Sequence, residues 1–267
     1  TKKYRERLVK TIREINPELA INNLDYIRTE SATEIGVAQW QYSASSNARK
    51  TAGPLRERPA DNASVDFMGF RYRDTSVSAP QLVLRQWQNL ANAGSVSLYI
   101  MGHLGNHQDR TALTASKPAF DFHKAHEKLY AGLTSAAKVL LVNRPVMARN
   151  DPESYGWIRA LTESHIPFDE MKLAELKPEL LHRWDVVILA ELKKLTQEQA
   201  EMFDTYAEQG GTVLSTGILP ELRCLGICEV RNSWKDRMSS VFELCEAEKT
   251  LFPRSAEAHY IAPGAIL

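Results

Sequence analysis

The chain has 267 residues, 43% of them hydrophobic and 25% charged, and a formal net charge of zero. That size suits one large domain or two ordinary ones, each with an ordinary core. With zero net charge, nothing in the chain resembles the basic stripe of a nucleic-acid binder, and no apolar run is long enough to span a membrane, so neither a nucleic-acid nor a membrane partner is expected. The three cysteines, Cys224, Cys228 and Cys245, make no disulfide framework. Cys224-x3-Cys228 lacks further ligands close by, and free core thiols are the expectation. No secretory signal is visible; a soluble protein is expected, with the cytoplasm favoured. Thr1 opens in the middle of a charged helical pattern, which reads as a fragment or a processed product.

Lys2–Ile15 places Leu8, Val9, Ile12 and Ile15 on one side and predicts an amphipathic helix, stopped by Asn16–Pro17. Leu19–Asn22 is a short strand candidate, and Asp25–Ser31 carries the chain toward an edge. WQYSASSNAR, Trp40–Arg49, is polar and aromatic and opens a helix. Thr51–Ala63, rich in Pro, Arg, Asp and Asn, reads as a long loop, and VDFMGFRYRD, Val65–Asp74, as the next strand. Ala79–Ala93 is a helix with Leu82, Leu84, Trp87, Leu90 and Ala91 on its apolar side, Trp87 being expected in the core; Gly94 ends it. Ser95–Gly102 is an apolar strand, and Phe120–Leu133 a further helix.

From Ala136 onward the alternation is cleaner. Ala136–Arg144 and Trp184–Leu192 are strong strands, apolar on both faces, with a weaker one at Phe168–Leu176. Helices are expected at Ser154–Ile166 and Thr196–Gln209, the second closed by Gly210–Gly211 and followed by the strand Thr212–Gly217. This is the pattern of βαβ units on a parallel sheet. After Gly217 it weakens: Val241–Glu248 reads as a strand or short helix, and Phe252–Leu267 as a coil-and-strand tail.

The first 133 residues alternate helix and strand, with polar, aromatic loops at the strand ends. A complete (β/α)8 barrel takes about 250 residues and carries its chemistry at the C-terminal ends of the strands. The block is half that long. Pattern alone is compatible with the last βα units of a barrel and equally with a small independent α/β layer.

Glu30 follows a strand, beside Arg28 and four residues before Glu34. Glycoside hydrolysis needs two carboxyl groups across the scissile bond, one of them kept protonated. A Glu at a barrel mouth near Trp40 and Tyr42, whose faces can carry sugar rings, suits the general acid. The competing reading is a surface Glu paired with Arg28 or capping a helix. Asp74 offers a second carboxylate or an acceptor for sugar hydroxyls, against a turn residue paired with Arg71 or Arg73. Arg49 offers a donor to a substrate oxygen, against a solvated helix arginine. His103-x3-His107 with Asp109 has a zinc-like composition, but Gly102 and Gly105 argue for a loop, where an i, i+4 pair does not share a face; substrate contact by His103 is the expectation, with no metal. No phosphate cradle of either glycine-rich type occurs, and no cofactor is expected. The loop after the strand Trp184–Leu192 carries Glu191 and Lys193 and no Cys, so amidotransferase chemistry is not expected.

DYIRTES followed by WQYSASSNAR, then QLVLRQWQNLANAGSVSLYIMG, AKVLLVNR, WDVVILAEL and the tail VFEL…LFP…HYIAPG resemble a group of bacterial glycoside-hydrolase-like proteins. In these a (β/α)8 barrel precedes an amidotransferase-like sheet, as in beta-galactosidases with a trimerisation domain. The resemblance implies an α/β chain: the C-terminal part of a barrel over 1–133, a flavodoxin-like domain over 134–225 and an extension over 226–267. It implies a glycosidase lineage, with Glu30 matching an acidic residue at the barrel mouth; taken with the residue readings above, Trp40, Tyr42, Arg49, Asp74 and His103 are expected around a carbohydrate substrate. It also implies a homo-oligomer, such as a trimer. The rival is a non-catalytic carbohydrate-binding or oligomerisation module.

Overall fold

The computed structural model describes residues 2–22, 24–33, 40–55, 59–105, 107–143, 152–192, 194–226, 230–245 and 248–261, and only the backbone from 230 on. Glu34, Lys193, Cys228 and most of the expected loop at 144–151 lie outside the described residues. The chain is α/β with parallel sheets and divides into two compact units, Thr1–Ser135 and Ala136–Leu267. No helix among the described residues is long and apolar enough to cross a membrane.

In the first unit α1 (Lys2–Ile15) leads to β1 (Ile27–Ser31). The Arg13 guanidinium ties the two together: it donates to both Asp25 carboxylate oxygens at 2.6 and 2.5 Å, and to the carbonyls of Pro17 and Leu19. The strand expected at Leu19–Asn22 is absent, leaving one isolated bridge from Asn22 to Tyr26. Then follow α2 (Ser43–Ala52), β2 (Ala60–Val65), α3 (Ala79–Ala91), β3 (Leu98–Tyr99) and α4 (Thr111–Tyr130). The strands form one parallel sheet in the order β1-β2-β3. This is successive βα winding, a partial barrel-like topology.

Two expectations fail around β2. Its first four residues, Ala60–Ala63, fall inside the expected loop, and the expected strand Val65–Asp74 is strand only at Val65, giving way to a turn with a short 3-10 segment at Phe70–Tyr72. The most polar buried residue of the strand, Asn62, is satisfied inside it by side chains of β1, α2 and α3. The aromatic stretch leaves the sheet because Gly69, at φ 82, turns the chain. Trp87 is 39% exposed and so not a core residue: α3 buries Leu82, Gln86, Asn89 and Leu90 instead. Helix α4 begins at Thr111, nine residues before Phe120, with Pro118 inside it.

The second unit follows its sequence pattern closely. β4 (Val139–Asn143), α5 (Pro152–Glu163), β5 (Phe168–Lys172), α6 (Pro178–Leu181), β6 (Val186–Ala190), α7 (Gln197–Glu208) and β7 (Thr212–Thr216) build a four-stranded, wholly parallel sheet. Its order β5-β4-β6-β7 is that of a flavodoxin-like, doubly wound sheet. One face buries Leu140, Val142, Val187 and Leu189 with Trp184, Phe203 and Tyr206. Trp184 Nε1 donates to Asp169 at 2.9 Å, and the Tyr206 hydroxyl to the Trp184 carbonyl at 3.0 Å, so the polar atoms of this core are met. A capping box of Thr196 and Gln199 starts α7. The weakly patterned tail is a long antiparallel hairpin, β8 (Val230–Cys245) with β9 (Glu248–Ile261).

Candidate active site

Parallel pairing brings the three βα loops of the first unit to one edge, the C-terminal ends of β1, β2 and β3. Asn62, fully buried in β2, organises the helix side of this sheet. It accepts from Thr29 Oγ1 at 3.1 Å, from Ser31 Oγ at 3.3 Å and from Asn47 Nδ2 of α2 at 3.1 Å. Its amide donates to Asn89 Oδ1 of α3 at 2.8 Å, and Asn89 returns a bond to the Asn62 carbonyl.

Because Thr29 and Ser31 both face Asn62, strand alternation turns Arg28 and Glu30 to the opposite face. There Arg28 pairs with Asp61 at 3.5 Å rather than with Glu30. The Glu30 side chain is exposed and makes no hydrogen bond or ion pair with a described residue; its carbonyl accepts from Asn47 at 3.0 Å. Glu30 lies within the last turn of pleat of β1 rather than past the strand, so its position is set by the ladder to Ala63.

Trp40 and Tyr42 meet edge to face, ring centres 5.3 Å apart, just before α2. The stretch is tied to α3 through Gln88, which donates to the Gln41 carbonyl and accepts from the Ser45 amide. Asp74 and His103 are exposed on the loops after β2 and β3. The structure thus brings Glu30, Trp40, Tyr42, Asp74 and His103 to the strand-end side. It does not bring Arg49 there: Arg49 is buried between helices and donates to Asn92 at the C-cap of α3, at 3.0 Å.

The residue that sequence reasoning passed over is Asp66, the first after β2. It is 1% exposed, its Oδ2 lies 3.8 Å from Nε2 of the buried His107, and none of these atoms has a hydrogen-bond partner among the described residues. Burial pushes the carboxyl up to about 6, helped by Asp109 and opposed by His107. Asp109 goes the other way, to about 2, because the Thr111 and Ser76 amides donate to it, both at 3.0 Å. The buried Arg85 holds the two strand ends together, donating to the Val65 carbonyl at 3.0 Å and to Thr33 Oγ1 at 2.7 Å. Burial lowers its guanidinium to about 10. His103 and His107 therefore serve different surroundings. Among the described residues no group of three or more acidic, His or Cys side chains is arranged to hold a metal.

In the second unit the end of β6 carries Glu191, in a left-handed conformation at φ 53 and 5% exposed, where an amidotransferase would need a thiol. A Cβ on Gly217, after β7, would stand 2.7 Å from Glu191 Cγ and 3.1 Å from Glu153 Cγ, so both acidic stems close over this glycine.

No family model matches the sequence, and no curated protein does. Solved structures share its fold. The alpha-L-fucosidase isoenzyme 2 from Paenibacillus thiaminolyticus aligns with a TM-score of 0.69 at 17% identity, over 97% of this chain and 43% of that one. The beta-galactosidase from Bacillus circulans sp. alkalophilus aligns with a TM-score of 0.63 at 13% identity, over 95% of this chain and 47% of that one. The chain spans less than half the length of either. At such identities the likeness is one of fold.

Proposed function

We propose that the chain contributes the C-terminal βα units of a barrel, and a flavodoxin-like domain, to a glycoside hydrolase acting on O-glycosidic bonds of oligosaccharides or glycans. The observation that carries this reading is the placement of Glu30. It is an exposed carboxylate, without an ion pair among the described residues, at the C-terminal end of a parallel strand, on the face turned away from the helices, which in a closed barrel is the interior. The shared fold with two glycosidases supports it.

In this reading Glu30 is the general acid/base and stands over the glycosidic oxygen. Trp40 and Tyr42 offer ring faces to the sugar, and Asp74 and His103 offer polar contacts from the neighbouring loops. Asp66 is sealed from solvent and so does not touch substrate; its carboxyl, pushed up to about 6 by burial, changes the field at the strand end as it ionises. The second catalytic carboxylate comes from strands beyond these three.

A general acid contributes about 10²–10⁴-fold to a rate. In a protein carrying this chain within a closed barrel, Glu30→Gln lowers turnover of an aryl glycoside by about that factor, and by less when the leaving group is good, since less protonation is needed. Asp66→Asn moves the pH profile rather than abolishing turnover. Near-normal turnover by Glu30→Gln on poor leaving groups refutes the assignment.

A further inference from the structure

We propose that the loop between β2 and α3 recognises an anionic sugar, one bearing a carboxylate or a sulfate ester. The proposal rests on the glycosidase reading of the same strand-end edge and narrows its substrate class.

The base of the loop is fixed. Phe67 and Ser76 bridge across it in antiparallel fashion, and the Val77 amide donates to the Asp66 carbonyl. The Ser76 amide is held by Asp109 at 3.0 Å. Phe67 is buried and packs edge to face on Tyr99 of β3 at 5.6 Å, and against Phe70 at 5.8 Å. Above this base the turn is closed by Tyr72 N–H to the Gly69 carbonyl at 3.0 Å and Thr75 N–H to the Tyr72 carbonyl at 3.1 Å. Such a loop, with its ends together and its own internal bonds, presents its tip without a large ordering cost.

The tip presents what an anionic sugar requires. Phe70 is 69% exposed and Tyr72 51%, two aromatic side chains held in water beside a candidate sugar site. Arg71 and Arg73 flank Tyr72 and are exposed. Arg73 folds back to donate to the Phe70 carbonyl at 3.2 Å, while Arg71 has no hydrogen bond or ion pair with a described residue. A guanidinium has five donors and no acceptor. Two of them beside an aromatic ring call for a ligand that supplies charged acceptor oxygens on a ring with an apolar face. A neutral sugar, whose hydroxyls both donate and accept, is better served by carboxylates and amides. Asp109 is held at the base of the loop by two backbone amides and makes no ion pair with Arg71 or Arg73. Asp74 is the one acidic side chain in the tip itself, against two arginines.

The test is equilibrium binding to the 267-residue chain by calorimetry, with three probes of equal length: an oligogalacturonate, a sulfated galactan oligosaccharide and a neutral galacto-oligosaccharide. A hydrogen-bonded charge pair corresponds to about a tenfold change in affinity or more. At least one charged probe is expected to bind about tenfold or more tighter than the neutral one, with an advantage that shrinks as salt is raised. Which charged probe binds decides between carboxylate and sulfate. Arg71→Ala with Arg73→Ala should remove that advantage and leave neutral binding and the circular dichroism spectrum unchanged, and Tyr72→Ala should weaken binding of all probes. Equal binding of neutral and charged probes, no binding of either charged probe, or an unchanged charged affinity in the double arginine variant each overturns the proposal. Binding is read without turnover, so the two readings fail separately. Charged-probe binding with no cleavage by a barrel-complete protein removes the glycosidase reading. Cleavage with no charge preference removes only the loop's specificity.

Discussion

His107 Nε2 stands 3.8 Å from Asp66 Oδ2, with both side chains buried and neither atom otherwise hydrogen-bonded among the described residues. A free Asp titrates at 3.8 and Asp66 at about 6. The folded state therefore holds this proton more tightly than the unfolded state does. The group costs nothing below about pH 4, and its penalty grows to about 3 kcal/mol as pH rises through 6. Asp66→Asn keeps the shape and removes the titration. The stability of Asp66→Asn relative to the unsubstituted chain should rise by up to about 3 kcal/mol between pH 4 and pH 7, read from urea unfolding at each pH. A difference that stays constant across that range contradicts the raised pKa of the buried carboxyl.

Asn62 joins β1, α2 and α3 through one buried amide. Asn62→Ala leaves the buried Asn89 Oδ1 without its donor and takes an acceptor from Thr29, Ser31 and Asn47, and a cost of about 3 kcal/mol is expected, against about 1 kcal/mol for Thr29→Ala at the half-buried edge of the same network. Denaturant midpoints of the two variants, compared at one pH, check the ranking.

Gly210 and Gly211 end α7 for different reasons. Gly210 sits at φ 96 with nothing within 4 Å of an added Cβ, so alanine there costs about 1 kcal/mol of backbone strain. A Cβ on Gly211 would run into the Tyr206 ring, which is buried and bonded to Trp184. Gly211→Ala should cost more, about 2–3 kcal/mol. Thermal unfolding of the two single variants decides it, and equal losses would refute the steric argument.

The parallel sheet of the first unit has β1 and β3 at its edges, and α1 exposes Tyr4, Leu8 and Ile15 at 71%, 47% and 79%. Open edges and uncovered apolar side chains favour association. We expect the isolated chain to self-associate, and Leu8→Lys with Ile15→Lys to reduce the associated fraction. Light scattering over a concentration series measures both, and a monomer at all concentrations would contradict the expectation.

The second unit was legible from the sequence because its strands are apolar on both faces. Val139–Asn143 and Val186–Ala190 announce themselves by hydropathy, and Thr196 and Gly210 mark the ends of the helix between β6 and β7. The first unit was legible in its helices and less so in its sheet. Its β2 takes in Ala60–Ala63, which read as a loop, and Asn62 is stable inside because side chains of β1, α2 and α3 bond to it. A signal was present: Asn62, Ser64 and Asp66 alternate with Ala63, Val65 and Phe67, a period of two that the polar composition obscured. Glu30 could be singled out from its place in the chain, since a carboxylate near a strand end depends only on local pattern. Asp66 could not. Its raised pKa comes from burial, reinforced by Asp109 and opposed by His107, both some forty residues on, and such an environment exists only after the strands have paired. Likewise Arg49 is polar in sequence and reads as a contact for substrate, and only the packing of α2 on α3 turns it inward to Asn92. Local periodicity determined the order of elements; long-range pairing decided which polar groups are buried, and hence which carry a displaced proton.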